Sequence, residues 1–368
     1  LRWELSRCYL AEDRAHGEGS MGSGDVEMTI SRILFVAGGT GGHILPAVSL
    51  RDWITEKEND IEISFICGNR DLEKDIYSSL GIEPFVLSIE GSPFGRKDFA
   101  SIFRRSRDMI PAFVKVYSFF KQWEPDLCVL FGGYISLIPM LVSEIFHVPV
   151  IFHEQNSYAG KMTRFGSKKG KPVISGWKEC NPLEKEKFIP LGIPVRKLRR
   201  LQDHEAWNIL HIGSPYPEGP IIVVIGGSLG SQDLFGHIRY LAERDNFSSW
   251  TFLVLAEEED SLYPLPGNVR FVGKRWDMDP VYTLADGAIT RAGASTLAEL
   301  GVYGVPSVIV PWMGSSDSHQ LLNAEVFLKD FEGDLWIEGA NSLDSLEEKL
   351  RNLMFRKQRS VDTYELID

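Results

Sequence analysis

The sequence predicts an α/β protein of two doubly wound, parallel-sheet domains that face a shared cleft. Three observations predict it. Short, wholly apolar β-rich runs alternate with segments of helical spacing, the pattern of strands covered by helices on both faces. Two of the runs end in glycine-rich turns that lead into helices, "ILFVAGGTGGHILPA" at 33–47 and "PIIVVIGGSLGSQ" at 220–232. Between the halves, "PLGIPVRKLRR" and "GSPYPEGP" break the rhythm with proline and glycine.

The elements follow in order. Residues 1–30 are polar, carry Gly and Ser, and lack the apolar core of a signal peptide; they read as a disordered leader, with Met21 or Met28 as the expected start. An N-terminal domain is expected over 31–190, with strands at 32–37, 61–67, 126–131 and 149–153 and helices at 45–57, 71–80, 99–122 and 135–146. A linker is expected over 191–219. The C-terminal domain, 220–368, adds strands near 251–256, 269–273, 286–290 and 306–311, and its last helix is expected to pack back on the N-terminal domain. No apolar run reaches about 18 residues, so no membrane-spanning helix is expected.

Composition narrows the function. A length of 368 residues suits two domains, and a net charge of -12 argues against nucleic acid as a partner, since phosphate neutralisation needs a basic field. Cys8, Cys67, Cys128 and Cys180 are far apart and form no CxxC pair, so neither a zinc site nor a disulfide framework is signalled. Cys67 and Cys128 lie in strand-like runs and read as small buried hydrophobes, which fits a reducing, cytoplasmic setting.

In the first loop, Gly39, Thr40, Gly41 and Gly42 let a ligand approach the backbone, and the helix start that follows offers unpaired N–H groups and a partial positive charge. No GK[ST] follows, and the third glycine of a dinucleotide fingerprint is replaced by Ile44, so neither a P-loop nor a dehydrogenase is indicated. His43, at that helix start, has the pKa range of a general base. The second loop adds the hydroxyl of Ser228 and suits a pyrophosphate. A third, "TRAGASTLAELGVYGVP" at 290–306, sets Arg291, Gly293 and Ala294 before a helix that carries Glu299, a carboxylate able to accept two bonds from a vicinal diol such as ribose. In "PWMGSSDSHQLLNAE" at 311–325, Gln320 and Asn323 share a helix face beside His319, an arrangement suited to sugar hydroxyls.

"GGTGGHILPA", "HEQNSYAG" at 153–160, "GIPVR" at 192–196, "GGSLGS" and "TRAGASTLAELGVYGVPSVIVPW…DSHQLLNAE" occur in the order seen in the MurG family, the UDP-N-acetylglucosamine–N-acetylmuramyl-(pentapeptide) pyrophosphoryl-undecaprenol N-acetylglucosamine transferases. The chain resembles that family from about Arg32 to beyond Asn323. The resemblance implies a GT-B fold of two Rossmann-like domains, with UDP-N-acetylglucosamine held by the C-terminal one. It implies donor contacts from Ser228, Arg291, Gly293, Ala294, Glu299, His319, Gln320 and Asn323. It implies that Gly39, Thr40, Gly41, Gly42, Tyr134, Asn156 and Arg196 surround the acceptor and its phosphates, with His43 as base or as a group orienting the attacking hydroxyl, and Glu154 as the rival base. The implied reaction inverts the donor's anomeric carbon to give a β-1,4 link on a lipid-linked acceptor (lipid I) for peptidoglycan synthesis. No obligatory cofactor and no protein-held metal are expected; a divalent ion that the protein does not hold is left open. Two departures stand out: Leu229 replaces the usual glutamine of the second loop, and Ile193 replaces the asparagine before PVR.

A lipid-linked acceptor implies an anionic membrane surface as a partner, at the cytoplasmic face of the plasma membrane, with cell-wall synthesis proteins as further expected partners. Basic residues crowd 161–171 (Lys161, Arg164, Lys168, Lys169, Lys171), and 96–107 mixes Arg96, Lys97, Arg104, Arg105 and Arg107 with Phe99, Ile102 and Phe103. The alternatives are a glycosyltransferase of the same fold with a different acceptor, which the basic–apolar segment disfavours, and a catalytically weak binding or scaffold paralogue, which the retained His43, Glu154, Glu299 and Gln320 disfavour.

Overall fold

The structure, a computed structural model, describes residues 30–89, 99–213, 215–226, 232–257, 266–314 and 319–355; for helix residues 99–108, 232, 233 and 355 it describes the backbone alone. The expected leader therefore lies outside the described residues, as do Ser228 and Leu229 of the second glycine loop.

The N-terminal half holds a seven-stranded sheet, every strand pair of which is parallel. Its strands are β1 (Arg32–Val36), β2 (Glu62–Cys67), β3 (Phe85–Val86), β4 (Leu127–Leu130), β5 (Val150–Glu154), β6 (Val173–Ser175) and β7 (Ile189–Pro190), in spatial order β3-β2-β1-β4-β5-β6-β7. The helices are α1 (Gly41–Lys57), α2 (Asp71–Ser79), α3 (Phe99–Trp123), α4 (Leu137–Ile145) and α5 (Lys161–Lys168). One face of the sheet buries Leu34, Val36, Cys128, Leu130 and Phe152, and the other Ile33, Phe35, Phe65, Val129 and Ile151. Burial on both faces is why these strands read as unbroken apolar runs.

The C-terminal half repeats the plan with α6 (Asp203–Ile209), β8 (Ile221–Ile225), α7 (Gln232–Ala242), β9 (Thr251–Val254), β10 (Val269–Phe271), α8 (Asp279–Leu284), β11 (Gly287–Thr290), α9 (Ala294–Val302), β12 (Ser307–Ile309), α10 (His319–Asp330), β13 (Gly333–Leu335) and α11 (Leu343–Phe355). The sheet order is β10-β9-β8-β11-β12-β13, again all parallel. In each sheet the strand order reverses beside the first strand, between β1 and β4 and between β8 and β11. The first and third glycine loops leave the carboxyl ends of β1 and β11 at these reversal points, where open α/β sheets bind ligands.

Two expectations about domain organisation change. Part of the expected linker is structured: α6 buries Ala206 and Trp207, followed by Leu210, against Val223, Val281 and Tyr282 of the C-terminal domain. The last described helix, α11, packs Leu346, Leu350 and Leu353 on its own sheet with Ile222, Val224 and Val308 rather than on the N-terminal domain.

The halves meet through an apolar cluster in which Trp177 and Ile193 pack with Ala292, Ala294, Leu297 and Phe327. Ile193 is thus explained by packing. It is buried, and it lies so close to Gly176 that a Cβ there would come within 2.3 Å of its side chain. Lys178–Asp330, Lys329–Glu179 and Lys197–Glu56 ion pairs border the junction. Burial pushes the thiols of Cys67, Cys128 and Cys180 up to about 12, so these three behave as the small buried hydrophobes expected.

Candidate active site

The first glycine loop turns through Gly39, at φ +93°, a conformation that a side chain would strain. Thr40 is then the N-cap of α1 with an extended backbone, but its side chain makes no capping bond, and the first turn of α1 holds no acid. Opposite stands α9, whose N-cap is Gly293, likewise without a side-chain cap or a first-turn acid. Both helix starts leave amide N–H groups for a ligand, together with the positive end of a helix dipole. They meet across the cleft: the Ser295 hydroxyl donates to Gly42 O at 3.0 Å. Trp276, from the C-terminal domain, lies over Gly41, where an added Cβ would be 3.4 Å from its ring.

His43 is half-buried at this junction. Its Nδ1 lies 2.8 Å from Gly38 O. A carbonyl can only accept, so Nδ1 carries a proton, and in the neutral ring the lone pair is on Nε2. Gly132 and Gly133, at φ +90° and +76°, pass against the ring; added Cβ atoms there would lie 3.6 Å from Nε2 and 3.7 Å from Nδ1. The imidazole thus sits between the loops leaving β1 and β4, at the sheet's reversal point. The orienting group is a main-chain carbonyl rather than a carboxylate.

The loop also has support from α2. The Glu73 carboxylate, wholly buried, accepts from Gly68 N–H and would block any Cβ on Gly38. Arg70 donates to Gly39 O at 3.3 Å and lies over the Tyr134 ring. The Tyr134 hydroxyl reaches Ile89 O at 3.4 Å.

Comparison with known proteins gives these features a family. Residues 33–175 match the glycosyltransferase family 28 N-terminal domain, and residues 221–365 its C-terminal domain. The enzyme named UDP-N-acetylglucosamine--N-acetylmuramyl-(pentapeptide) pyrophosphoryl-undecaprenol N-acetylglucosamine transferase in Carboxydothermus hydrogenoformans is 30% identical over 311 residues, covering 81% of this chain and 82% of its own. The chain belongs to the MurG family. The enzyme of the same name from Thermoanaerobacter sp. (strain X514) is 26% identical over 89% of this chain and 92% of its own. The MurG crystal structure from Acinetobacter baumannii superposes with a TM-score of 0.61 at 21% identity, covering 88% of this chain and 91% of that one. The fold is therefore that of the GT-B glycosyltransferases.

Within this MurG-family chain, several expected site residues are committed to the protein itself. Glu154 is saturated: Oε1 accepts from Asn156 N–H at 3.0 Å and Asn156 Nδ2 at 3.2 Å, and Oε2 from Gly160 N–H at 2.8 Å and the Thr163 hydroxyl at 2.6 Å. With four donors upon it, it clamps the loop after β5 and offers no lone pair to a substrate proton, which corrects its place as rival base. Asn323, wholly buried, accepts from Ser157 N–H and hydroxyl at 2.9 and 3.0 Å and donates to Asn156 Oδ1 and Ala292 O at 3.1 and 3.2 Å. Its amide is fully used in joining the two domains, so it is not open to a sugar as expected; the half-buried Asn156 carboxamide uses one N–H on Glu154 and its oxygen on Asn323.

Arg291 is also withdrawn. Its guanidinium is buried in a two-point pair with Glu338, at 2.8 and 3.2 Å, and also reaches Val310 O. Burial alone would raise the Glu338 carboxyl, but Arg291 and His237 more than offset this and hold it below the usual range. Arg196, expected at the acceptor, is paired within the protein: its Nε donates to Glu299 Oε1 at 2.7 Å and its Nη1 to Trp276 O. Gln320 accepts from Ala292 N–H at 3.3 Å and Trp312 N–H at 2.8 Å, tying the third loop to the end of β12. His319 opens α10, and Ala294 is buried in the interdomain cluster. The residues brought together at the junction are Gly39 to His43 and Gly293 to Ser295, with Glu299 one turn inside.

Sequence reasoning missed Gly132–Gly133, Arg70, Glu73 and Tyr282. Only the first pair had a signal: "CVLFGGYIS" repeats the strand–Gly–Gly pattern of the first loop.

His153, beside Glu154, is wholly inside the sheet. It packs on Phe131, holds Gly192 O at 3.1 Å, and accepts from Gln155 Nε2 at 2.9 Å. Burial brings its pKa from 6.5 down to about 4. The unfolded chain therefore takes up this proton first, so the native state is fully favoured above about pH 6.5 and loses stability as pH falls toward about 4, by about 3 kcal/mol at most. Urea midpoints of wild type and His153→Gln at about pH 7.5 and about pH 4.5 check this: the wild-type midpoint should fall more steeply, and equal slopes would contradict it.

Proposed function

We infer that the chain transfers N-acetylglucosamine from UDP-N-acetylglucosamine to a lipid-linked N-acetylmuramoyl-pentapeptide, the lipid I to lipid II step of peptidoglycan synthesis. The observation that carries this reading is the meeting of two uncapped helix starts, one per domain, beside an imidazole whose Nε2 is free to accept a proton. The family relatives supply the substrate class.

The geometry supports one mechanism. Donor diphosphate lies at the start of α9, with Gly293, Ala294 and Ser295 main-chain groups upon it, the Gln320 amide toward the sugar, and Glu299 toward the ribose. The acceptor's diphosphate takes the loop of Gly39 to Gly42 at the start of α1. The acceptor 4-hydroxyl attacks the anomeric carbon from the face opposite UDP, and configuration inverts. His43 Nε2 takes the hydroxyl proton as the C–O bond forms. The bond to UDP breaks with its electron pair on the diphosphate oxygen, whose growing charge is met by N–H groups already in place. Those N–H groups supply a positive field at the leaving diphosphate, which supports a reaction with no obligatory protein-held metal.

The N-terminal domain supports peripheral docking on an anionic membrane, at the cytoplasmic face where the acceptor lipid is presented. Ile110, Val114 and Tyr117 stand exposed at helical spacing on α3, and Leu141 and Ile145 are exposed on the adjoining α4. Lys161, Lys168 and Lys169 stand exposed on and just beyond α5, beside Phe165. Apolar side chains entering the headgroup layer next to basic ones fit such a surface. No described helix is long and apolar enough to cross a membrane. The side chains of 96–107, expected to take part, lie outside the described residues.

His43→Ala should lower kcat by about 10²- to 10⁴-fold with the donor KM little changed, read as UDP release with a short-chain acceptor analogue. A kcat within about threefold of wild type would remove His43 as the base. The wild-type rate should persist in excess EDTA, and its loss there would overturn the metal-free reading. Replacing Ile110 and Val114 together by Asp should cut sedimentation with anionic vesicles at least about tenfold, with UDP binding intact; unchanged sedimentation would refute the docking face.

A further inference from the structure

The Glu299 carboxylate is held from two sides in a buried cage. Arg196 Nε donates to Oε1 at 2.7 Å and the Tyr282 hydroxyl to Oε2 at 2.7 Å. The cage draws on three separate segments: Glu299 on α9, Tyr282 on α8, and Arg196 in the chain that joins the domains. Arg196 is itself fixed at both ends, its Nη1 by Trp276 O and its carbonyl by the Tyr303 hydroxyl. The Tyr303 ring packs on Tyr282 with centroids 5.1 Å apart. Burial, and then the Glu299 charge, raise the Tyr282 phenol well above its ordinary range, so it remains a donor throughout the working pH.

A carboxylate accepts about four hydrogen bonds, two per oxygen. The cage uses one on each oxygen and leaves one on each. That is the requirement of a vicinal diol, whose two hydroxyls donate side by side. A free glutamate would have to surrender its rotamer freedom to present both oxygens at once; this one has already been fixed.

We propose that Tyr282 and Arg196 are positioning residues that hold the Glu299 carboxylate square to the ribose diol, and so make the site selective for a ribonucleotide donor over its 2′-deoxy counterpart. The inference rests on the donor reading above, in which Glu299 meets the ribose. Neither Tyr282 nor Arg196 touches the sugar in this account; each acts through Glu299.

The experiment compares kcat/KM for UDP-N-acetylglucosamine and its 2′-deoxyribose analogue in wild type, Tyr282→Phe, Arg196→Lys and Glu299→Gln, each checked for folding by thermal melt. Wild type should prefer the ribose donor by at least about tenfold. Tyr282→Phe, which keeps the ring packing, should reduce that preference about five- to tenfold, through KM for the ribose donor with the deoxy donor barely affected. Arg196→Lys, which keeps the charge but not the fixed Nε geometry, should shift it in the same direction. If either variant that folds weakens both donors equally, the cage is only structural and the inference is overturned. If wild type shows no preference, or Glu299→Gln leaves it intact, the ribose reading of Glu299 itself fails, an outcome separable from failure at Tyr282.

Discussion

Two helix starts, one from each domain, meet across the cleft, with the Ser295 hydroxyl on Gly42 O. That is the constraint on which the rest depends. Neither end is capped by a side chain and neither first turn carries an acid, so nothing within the helices themselves answers the dipoles. In the proposed mechanism each end takes its own anion, the donor diphosphate at α9 and the acceptor's at α1. This explains the glycines of the first loop, where a backbone must approach the ligand closely, and it explains why a base placed at that helix start would need to be neutral in its resting state. Gly38 O orients the His43 ring by accepting from Nδ1–H.

The cleft that carries this field is held shut by ordinary packing and a few fully used polar groups. Asn323 spends its whole amide on the junction, Ile193 fills a pocket that Gly176 leaves open, and Glu154 ties down the loop that presents Ser157 to Asn323. These residues look like substrate contacts in a linear motif because they lie beside the site. In space they set the distance between the domains, and thereby the distance between donor and acceptor. In such a bireactant site, a fixed approach of the reacting atoms accounts for much of the rate.

Much of this was legible in the order of residues. Apolar runs such as "ILFV" and "IIVVI" announced strands buried on both faces, and the glycine turns after them marked where the sheets would bind. The two-residue strands β3 and β7, too short for any periodic signal, were not legible, nor was α6, which hides in a stretch broken by Pro and Gly on either side. Least legible were the partners of charged side chains. Arg196 meets Glu299 across 103 positions and Arg291 meets Glu338 across 47, and no local rule couples residues so far apart. A motif can therefore name an arginine as a phosphate ligand when the fold has already paired it with a carboxylate.

The central claim concerns charge between two helix ends, and calorimetry of UDP against uridine, both in chelator, tests it most directly. The two ligands share the base and ribose and differ in the diphosphate alone. The account predicts that UDP binds at least about 100-fold more tightly than uridine, with an affinity that falls as salt rises. Equal affinities within about threefold, insensitive to salt, would contradict it.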